Sequence, residues 1–315
     1  MAAALVAAAT CALAQPAYPP RPVRLLVGFP PGGGTDFIAR LIAPGLSDFF
    51  QQQFIVDNRP GAAGNIAAEL AAGSPKDGCT LLVVSAAFSS NVSLYARAGY
   101  EPLRDFAAIT RIASIHNVFV VHPSTPAKSI KELVALAKAR PAELRFGSAG
   151  NGSVSHLAIE LLKATVGGLN VLHVPYRGMA PAVIDLVGGE VHALVATLPV
   201  SVPHIRSGRL RALAVAGLKR AGPLPEIPTV DEDAFPGYEA AAWNAVLAPA
   251  GTSYDIVTRL NLAIIKVSQS REVRERLETL GADLVGDTPD QFTAYLRAEI
   301  AKWAKVVKKT GAKVE

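Results

Sequence analysis

The chain has 315 residues, 50% of them hydrophobic, 18% charged and 6% aromatic. That profile excludes disorder and collagen-like order and supplies enough apolar material for one large core or two ordinary ones. The net charge of +5 does not read as a nucleic-acid surface, because the surplus gathers at one end, where Lys302, Lys305, Lys308, Lys309 and Lys313 stand against Glu299 and Glu315. Without interleaved aromatics this run is a solvated helix face, and no nucleic-acid partner is expected.

Residues 1–14 carry no charge and end in Ala12-Leu13-Ala14 before Gln15-Pro16, the small-x-small pattern that signal peptidase cuts. They are read as a signal peptide, so the mature protein is expected to be exported. The basic stretch that usually opens such a segment is missing, as expected if the start codon was called late or a few residues were lost. About fourteen residues are too few to span a bilayer. Cys11 lacks the large aliphatic neighbour of a lipidation site, and cleavage after Ala14 leaves Cys79 alone. Neither an intramolecular disulfide nor a thiolate metal site is then available.

Short β-rich runs alternate with helical patterns, the signature of parallel sheets covered by helices on both faces. Arg24 to Phe29 reads as a strand, Thr35 to Phe50 as a helix, Phe54 to Asp57 as a strand, Ala62 to Ala72 as a helix and Thr80 to Val84 as a strand. The rhythm restarts near Val118 to Val121. It continues through a helix at Ser129 to Ala139, a strand at Leu144 to Phe146, a helix at Ser153 to Thr165 and a strand at Val171 to Val174. Ala180 to Val187 (helix), Val191 to Val195 and Ala212 to Val215 (strands) complete it. Thr252 is expected to cap one terminal helix. Thr288-Pro289 opens another, with Phe292, Leu296, Ile300, Trp303 and Val307 inward, and Gly311 stops it. Such helices need a sheet already built. The expected division is a first lobe of 15–121 and 241–315 and a second of 122–240.

No enzyme motif stands out. The chain has no Gly-x-Ser-x-Gly, His-Glu-x-x-His, phosphate-binding Gly-x4-Gly-Lys or Cys-x-x-Cys. His116, His122, His156, His173, His192 and His204 are never at metal-ligand spacing on one helix face, so no metal is expected. Gly32-Gly33-Gly34 misses the dinucleotide fingerprint because Phe37 stands where the third Gly belongs, and no cofactor is expected.

Anion binding has an anchor in two places. Gly28-Phe29-Pro30-Pro31-Gly32-Gly33-Gly34-Thr35-Asp36 carries a strand through a Gly-rich turn into a helix, which aims free backbone N–H groups and the positive end of a helix dipole at one spot. Phe146-Gly147-Ser148-Ala149-Gly150-Asn151-Gly152-Ser153 repeats that order in the second lobe and adds hydroxyls. Each run also serves as a plain tight turn. Fixed neutral donors hold a carboxylate without leaving an unpaired cation in the empty site. Four or five charge-assisted hydrogen bonds, at about 1.5 to 3 kcal/mol each, cover the ~8 kcal/mol of a micromolar affinity.

These two runs also carry a resemblance. With Ala39-Arg40, Asp57 to Asn65, His156-Leu157, Val174-Pro175-Tyr176-Arg177-Gly178, Leu198-Pro199, Pro203 to Gly208, Pro228-Thr229-Val230 and Ala248 to Thr252, the chain resembles the Bug-type solute-binding proteins of tripartite tricarboxylate transporters. The resemblance spans the mature chain in order. It implies a periplasmic binding protein of type II, the Venus-flytrap fold, whose two α/β lobes close on a small carboxylate, partly through ordered waters. Phe29, Pro30, Pro31, Gly32, Gly33, Gly34, Thr35 and Asp36 would line the site with Ser148, Ala149, Gly150, Asn151, Gly152, Ser153 and His156. Tyr176, Gly178, Ala196 and Thr197 complete the second-lobe side, and Ser85, Ala86, Ala87, Phe88 and Ser89 form a third wall, read as the loop after the third strand.

Three departures from the family's pattern bear on the ligand. Val195-Ala196 stands where many relatives have Phe-Asp, removing a carboxylate that would pair with a ligand amine. Trp243-Asn244-Ala245 replaces the usual aromatic and Gly after the Trp, changing a cleft wall or hinge. Phe88 replaces a small polar residue and offers a ring to stack on, or simply belongs to the core. A dicarboxylate or an aromatic acid is expected, with the membrane components of a tripartite transporter as partners and a monomeric receptor. The competing readings are an orphan ligand sensor without a transporter, a hydrolase in the same cleft, and the effector domain of a transcription regulator, for which no DNA-binding helix pair is found.

Overall fold

The structure, a computed structural model, describes residues 18–279 and 281–314. The signal peptide expected at residues 1–14, Cys11 included, lies outside the described residues. Chain order begins with β1 (Val23–Val27), α1 (Gly34–Phe50), β2 (Phe54–Asn58), a 3-10 turn at Ala62–Gly64, α2 (Asn65–Ala72) and β3 (Thr80–Ser85). Next come α3 (Ala87–Leu94), α4 (Pro102–Asp105), β4 (Phe106–Ile115) and β5 (Asn117–Val121), then α5 (Ile130–Ala139), β6 (Arg145–Ser148), α6 (Val154–Val166) and β7 (Leu172–Pro175). They are followed by α7 (Met179–Val187), β8 (Ala193–Thr197), α8 (Leu198–Arg206), β9 (Arg211–Val215) and α9 (Val230–Asp233). The chain closes with β10 (Ala242–Pro249), α10 (Tyr254–Ser268), α11 (Arg271–Thr279), β11 (Ala282–Leu284) and α12 (Pro289–Thr310).

The strands form a six-stranded sheet in the order β11-β4-β10-β3-β1-β2 and a five-stranded sheet in the order β7-β6-β8-β5-β9. Each is parallel where βα units built it and antiparallel where β4, β5, β9, β10 and β11 join. Both are buried on two faces, which is why the strands read as continuous apolar runs. Successive side chains alternate between the cores: Leu25 and Val27 enter one cluster and Leu26 the other, while Phe119 and Val121 part from Val118 and Val120. A fully buried side chain such as Leu25 contributes about 1.5 to 3 kcal/mol.

Two expectations about the lobes need correction. The division at residue 121 misplaces β5, which lies in the five-stranded sheet between β8 and β9. A single residue, His116, carries the chain from β4 into β5, so the crossover falls there. The last helix was expected to cover the first lobe alone. Instead Phe292 and Leu296 pack in a first-lobe cluster, while Trp303, Val306 and Val307 pack in a second-lobe cluster. At 22 residues, or ~33 Å, α12 reaches both. A capping box of Thr288 and Gln291 starts it, and left-handed Gly311 ends it. The other terminal helix expected, α10, is capped by Ser253 rather than Thr252, whose hydroxyl turns back to Pro249 O at 2.8 Å.

Candidate binding site

The crossover brings two sheet edges together. Ser85 pairs with Asn244, Ile115 with Ala242, and Asn117 with Thr197, so the ends of β3, β4 and β8 and the starts of β5 and β10 lie along one seam. The Gly-rich turns follow β1 and β6 at the same edges. At the second, a Cβ added to Gly152 would stand 3.8 Å from Leu94 of α3 and 3.2 Å from Val314, whose N–H bonds Leu94 O at 3.1 Å. The second-lobe turn therefore touches the first lobe.

In the first turn the Asp36 side chain is an internal anchor. Its carboxylate, 2% exposed, receives the Gly32 N–H at 2.8 Å, Asn58 Nδ2 at 2.8 Å and Arg40 Nε at 2.9 Å. Asn58 Nδ2 also bonds Phe29 O at 3.0 Å. Burial alone would raise this carboxyl, yet the Arg40 guanidinium, Gly32 N–H and Asn58 amide pull it down to about 2. An ionised Asp36 carboxyl has no proton to offer a ligand carboxylate, which leaves its backbone N–H as the group able to meet one.

The anchor leaves donors free. The cap of α1 is Gly33, extended and without a side-chain bond, so the N–H groups of Gly34, Thr35 and Asp36 have no helical acceptor. Pro30, Pro31, Gly32 and Gly34 are exposed, Phe29 and Gly33 half-buried. Thr35 Oγ1 accepts Asn244 Nδ2 at 3.1 Å, and that amide also reaches Val84 O at 3.2 Å. The Thr35 proton remains available. Asn244 is thus a supporting residue that the sequence marked only as a departure.

A neighbouring wall went unassigned in the sequence. A Cβ on Gly28 would fall 2.4 Å from Gly64 Cα, so β1 and the 3-10 turn approach as only glycine permits. Ala62 and Ala63 there adopt left-handed φ of 46° and 52°, a strained backbone that marks a built loop. Phe29, Gly64, Ser85 and Phe88 border a cavity of about 10 Å³, room for one water.

The third wall is smaller than expected, because α3 starts at Ala87 and draws that residue, Phe88 and Ser89 into the fold. Phe88 is 4% exposed, stacked on Tyr100 at 4.9 Å and edge-on to Phe106 at 5.3 Å. It is core, its ring committed to those two partners. Ser89 is buried with its hydroxyl on Ala86 O at 2.7 Å. Half-buried Ser85 and the start of α3 at Ala86 remain at the seam.

The second turn spends its hydroxyls on itself. Ser148 is buried, its oxygen receiving Gly150 N–H at 3.1 Å and meeting His173 Nε2 at 2.7 Å. Ser153 caps α6, accepting His156 N–H at 3.3 Å and donating to Gly150 O at 2.6 Å. Ala149 N–H goes to Ser155, and Gly152 N–H to His156 Nδ1. Asn151 is exposed. Ser148 and Ser153, expected as hydroxyl donors, and His156, expected to line the site, all brace the turn.

Open donors on this side lie at α7, whose cap Gly178 has φ 113° and no side-chain bond. Tyr176 N–H and Gly178 N–H tie this segment to Ser148 O and Ala149 O at 3.0 and 3.1 Å. The Tyr176 hydroxyl donates to Asp185 at 2.8 Å, and burial with that carboxylate pushes its pKa up to about 12. Exposed Arg177 adds a cation the site assignment had omitted. Thr197 stands half-buried at the start of α8, its side chain making no cap. Ala196 is a correction: it is fully buried among Val118, Leu194, Leu198 and Val215, so its side chain faces core and not cleft.

Two α/β lobes joined at a short crossover, with open helix N-termini at the seam, define the class of two-lobed solute-binding proteins. The chain belongs to the family described as the tripartite tricarboxylate transporter family receptor, whose model matches residues 38–312. It is 40% identical over 313 residues to Protein BugT of Bordetella pertussis (strain Tohama I), covering 98% of this chain and 96% of BugT. Among solved structures, R. palustris Rpa4515 with adipate is 40% identical with a TM-score of 0.79, covering 94% of this chain and 100% of that one. MatC from Rhodopseudomonas palustris with bound malate is 30% identical with a TM-score of 0.76, covering 92% of this chain and 100% of that one.

Proposed function

We propose that this chain is a periplasmic receptor that closes its lobes on a small dicarboxylate and hands it to the membrane components of a tripartite transporter. The observation that carries the reading is the uncapped N-terminus of α1, where three N–H groups and the Thr35 hydroxyl meet at the seam. A carboxylate there satisfies donors the fold leaves open and sits on the positive end of a 17-residue helix. Adipate and malate in Rpa4515 and MatC support the dicarboxylate. The aromatic-acid expectation loses its support, because Phe88 is committed to Tyr100 and Phe106. Export rests on the sequence of residues 1–14.

The geometry favours a receptor over a hydrolase. Ser148 and His173 stand at hydrogen-bond distance, but the hydroxyl is fully buried and already holds Gly150 N–H. A nucleophile needs an open face. The test is native mass spectrometry of protein purified from a cell extract, followed by thermal shift against succinate, adipate, malate, benzoate, aspartate and glutamate. A dicarboxylate at about 100 times its Kd should add ~2.7 kcal/mol. A retained non-acidic molecule, or no shift with any acid, overturns the proposal.

A further inference from the structure

Beneath the second-lobe turn two imidazoles lie face to face. His156 of α6 and His173 of β7 stack with centroids 4.3 Å apart and planes 19° from parallel. Each holds the turn through one nitrogen. His156 Nδ1 accepts Gly152 N–H at 3.1 Å, and His173 Nε2 meets the Ser148 hydroxyl at 2.7 Å, whose oxygen takes Gly150 N–H. Gly150 and Gly152 are both left-handed, with φ of 128° and 76°. The two glycines that shape the turn are thus tied to the two rings, Gly152 directly and Gly150 through Ser148. A proton on His156 Nδ1 would set donor against donor at Gly152.

We propose that His156 and His173 are positioning residues that hold the second-lobe turn in its ligand-receiving shape while the pair is neutral, and that protonation of the pair frees the turn and weakens carboxylate binding. This rests on the carboxylate reading above. The charged groups around the pair are Glu160, whose Oε1 is 3.9 Å from His156 Nε2, and Lys163, 2.8 Å from that oxygen, with Lys309 of α12 beside Glu160 and Lys163 in a surface groove. Burial lowers both imidazoles, His173 to about 4, with the neighbouring ring adding to the fall at His173 and Glu160 opposing it in both. Both rings are therefore held toward the neutral form, and acidification adds protons to the pair.

The experiment is calorimetric titration with adipate at pH 7.5 and 4.5 on the wild type, H156F and H156N. At pH 7.5 H156F should bind about tenfold more weakly. H156N, whose Oδ1 can take the Gly152 N–H, should recover most of that loss. Adipate itself titrates in this range, so the signal is the difference between proteins: the wild type should lose more affinity than H156N on acidification. Undiminished binding by H156F, or superimposable pH profiles for wild type and H156N, overturns the proposal. If the wild type binds no adipate, the acid giving the largest thermal shift replaces it; if no acid binds, the carboxylate reading fails, and amide exchange at Gly152 decides the positioning role. Faster exchange in H156F than in H156N supports it, and equal exchange ends it.

Discussion

Trp243 and Trp303 share one acceptor. Their indole N–H groups donate to the same carboxylate oxygen, Glu299 Oε2, at 3.3 and 3.0 Å. Trp243 belongs to a first-lobe core cluster and Trp303 to a second-lobe one. Glu299, 3% exposed on α12, therefore fastens the cores to each other. Its other oxygen pairs with Lys302, which also donates to Glu239 O. These are the chain's two tryptophans, so fluorescence excited selectively over the seven tyrosines reads this junction.

Replacing Glu299 with Leu strands two buried indole donors and a lysine. The expected loss is about 2 to 4 kcal/mol in denaturant unfolding. E299Q keeps an oxygen for the indoles and should lose less than half as much. Equal losses for the two variants would mean that the shared acceptor does not hold the lobes together.

Asp36 predicts an acid-linked instability. Its folded carboxyl lies at about 2 against an ordinary 3.8, so the stability it contributes is complete above pH 4 and is lost as the pH falls toward 2. D36N should cost about 1 kcal/mol at pH 7, a modest figure because Arg40 is half-exposed. Urea unfolding from pH 7 to pH 2 should show the gap between wild type and D36N closing below pH 4. A gap that persists at pH 2 would contradict the anchor.

Thr35 and Ser153 separate binding from bracing. T35V removes the open hydroxyl at α1 and should weaken dicarboxylate binding by about 1 to 3 kcal/mol with a smaller effect on stability. S153A removes the cap of α6 and should cost ~1 kcal/mol of stability. Calorimetry and thermal melts on both variants suffice. The assignment of roles falls if S153A loses affinity while melting like the wild type.

Much of this was legible in the sequence for a physical reason. Strands β1, β3 and β5 are buried on both faces and announce themselves as apolar runs, and α12 carries its own start and stop in Thr288-Pro289 and Gly311. Strands β4 and β10 were missed because Ala107, Ala108, Ala113, Ala245 and Ala248 give weak strand signals and interrupt the apolar pattern. Helix α3 read as a loop because Ser89, Ser90, Asn91 and Ser93 favour turns locally. The partners of Phe88, at Tyr100 and Phe106, are set by tertiary packing that no local pattern shows. Both Gly-rich turns were visible, but which donors the fold keeps for itself depends on side chains such as Asn58 and His173, brought in from neighbouring strands.

Position 196 was misread although the alternation in β8 already fixed its face. Leu194 and Ala196 share one side of the strand and Ala193 and Val195 the other, and both sides are core. A196D therefore introduces no charge into the cleft. It places a carboxylate in an aliphatic cluster with Val118, Leu198 and Val215. Burial of an unpaired charge forces the group to stay protonated or the core to open, a loss of several kcal/mol. A196D should therefore melt far below the wild type or accumulate as insoluble protein, and A196V, which only overpacks the site, should lose about 1 to 3 kcal/mol. Soluble expression and thermal melts of both decide the matter. An A196D protein that melts like the wild type while shifting its preference toward an amino acid would return this side chain to the cleft.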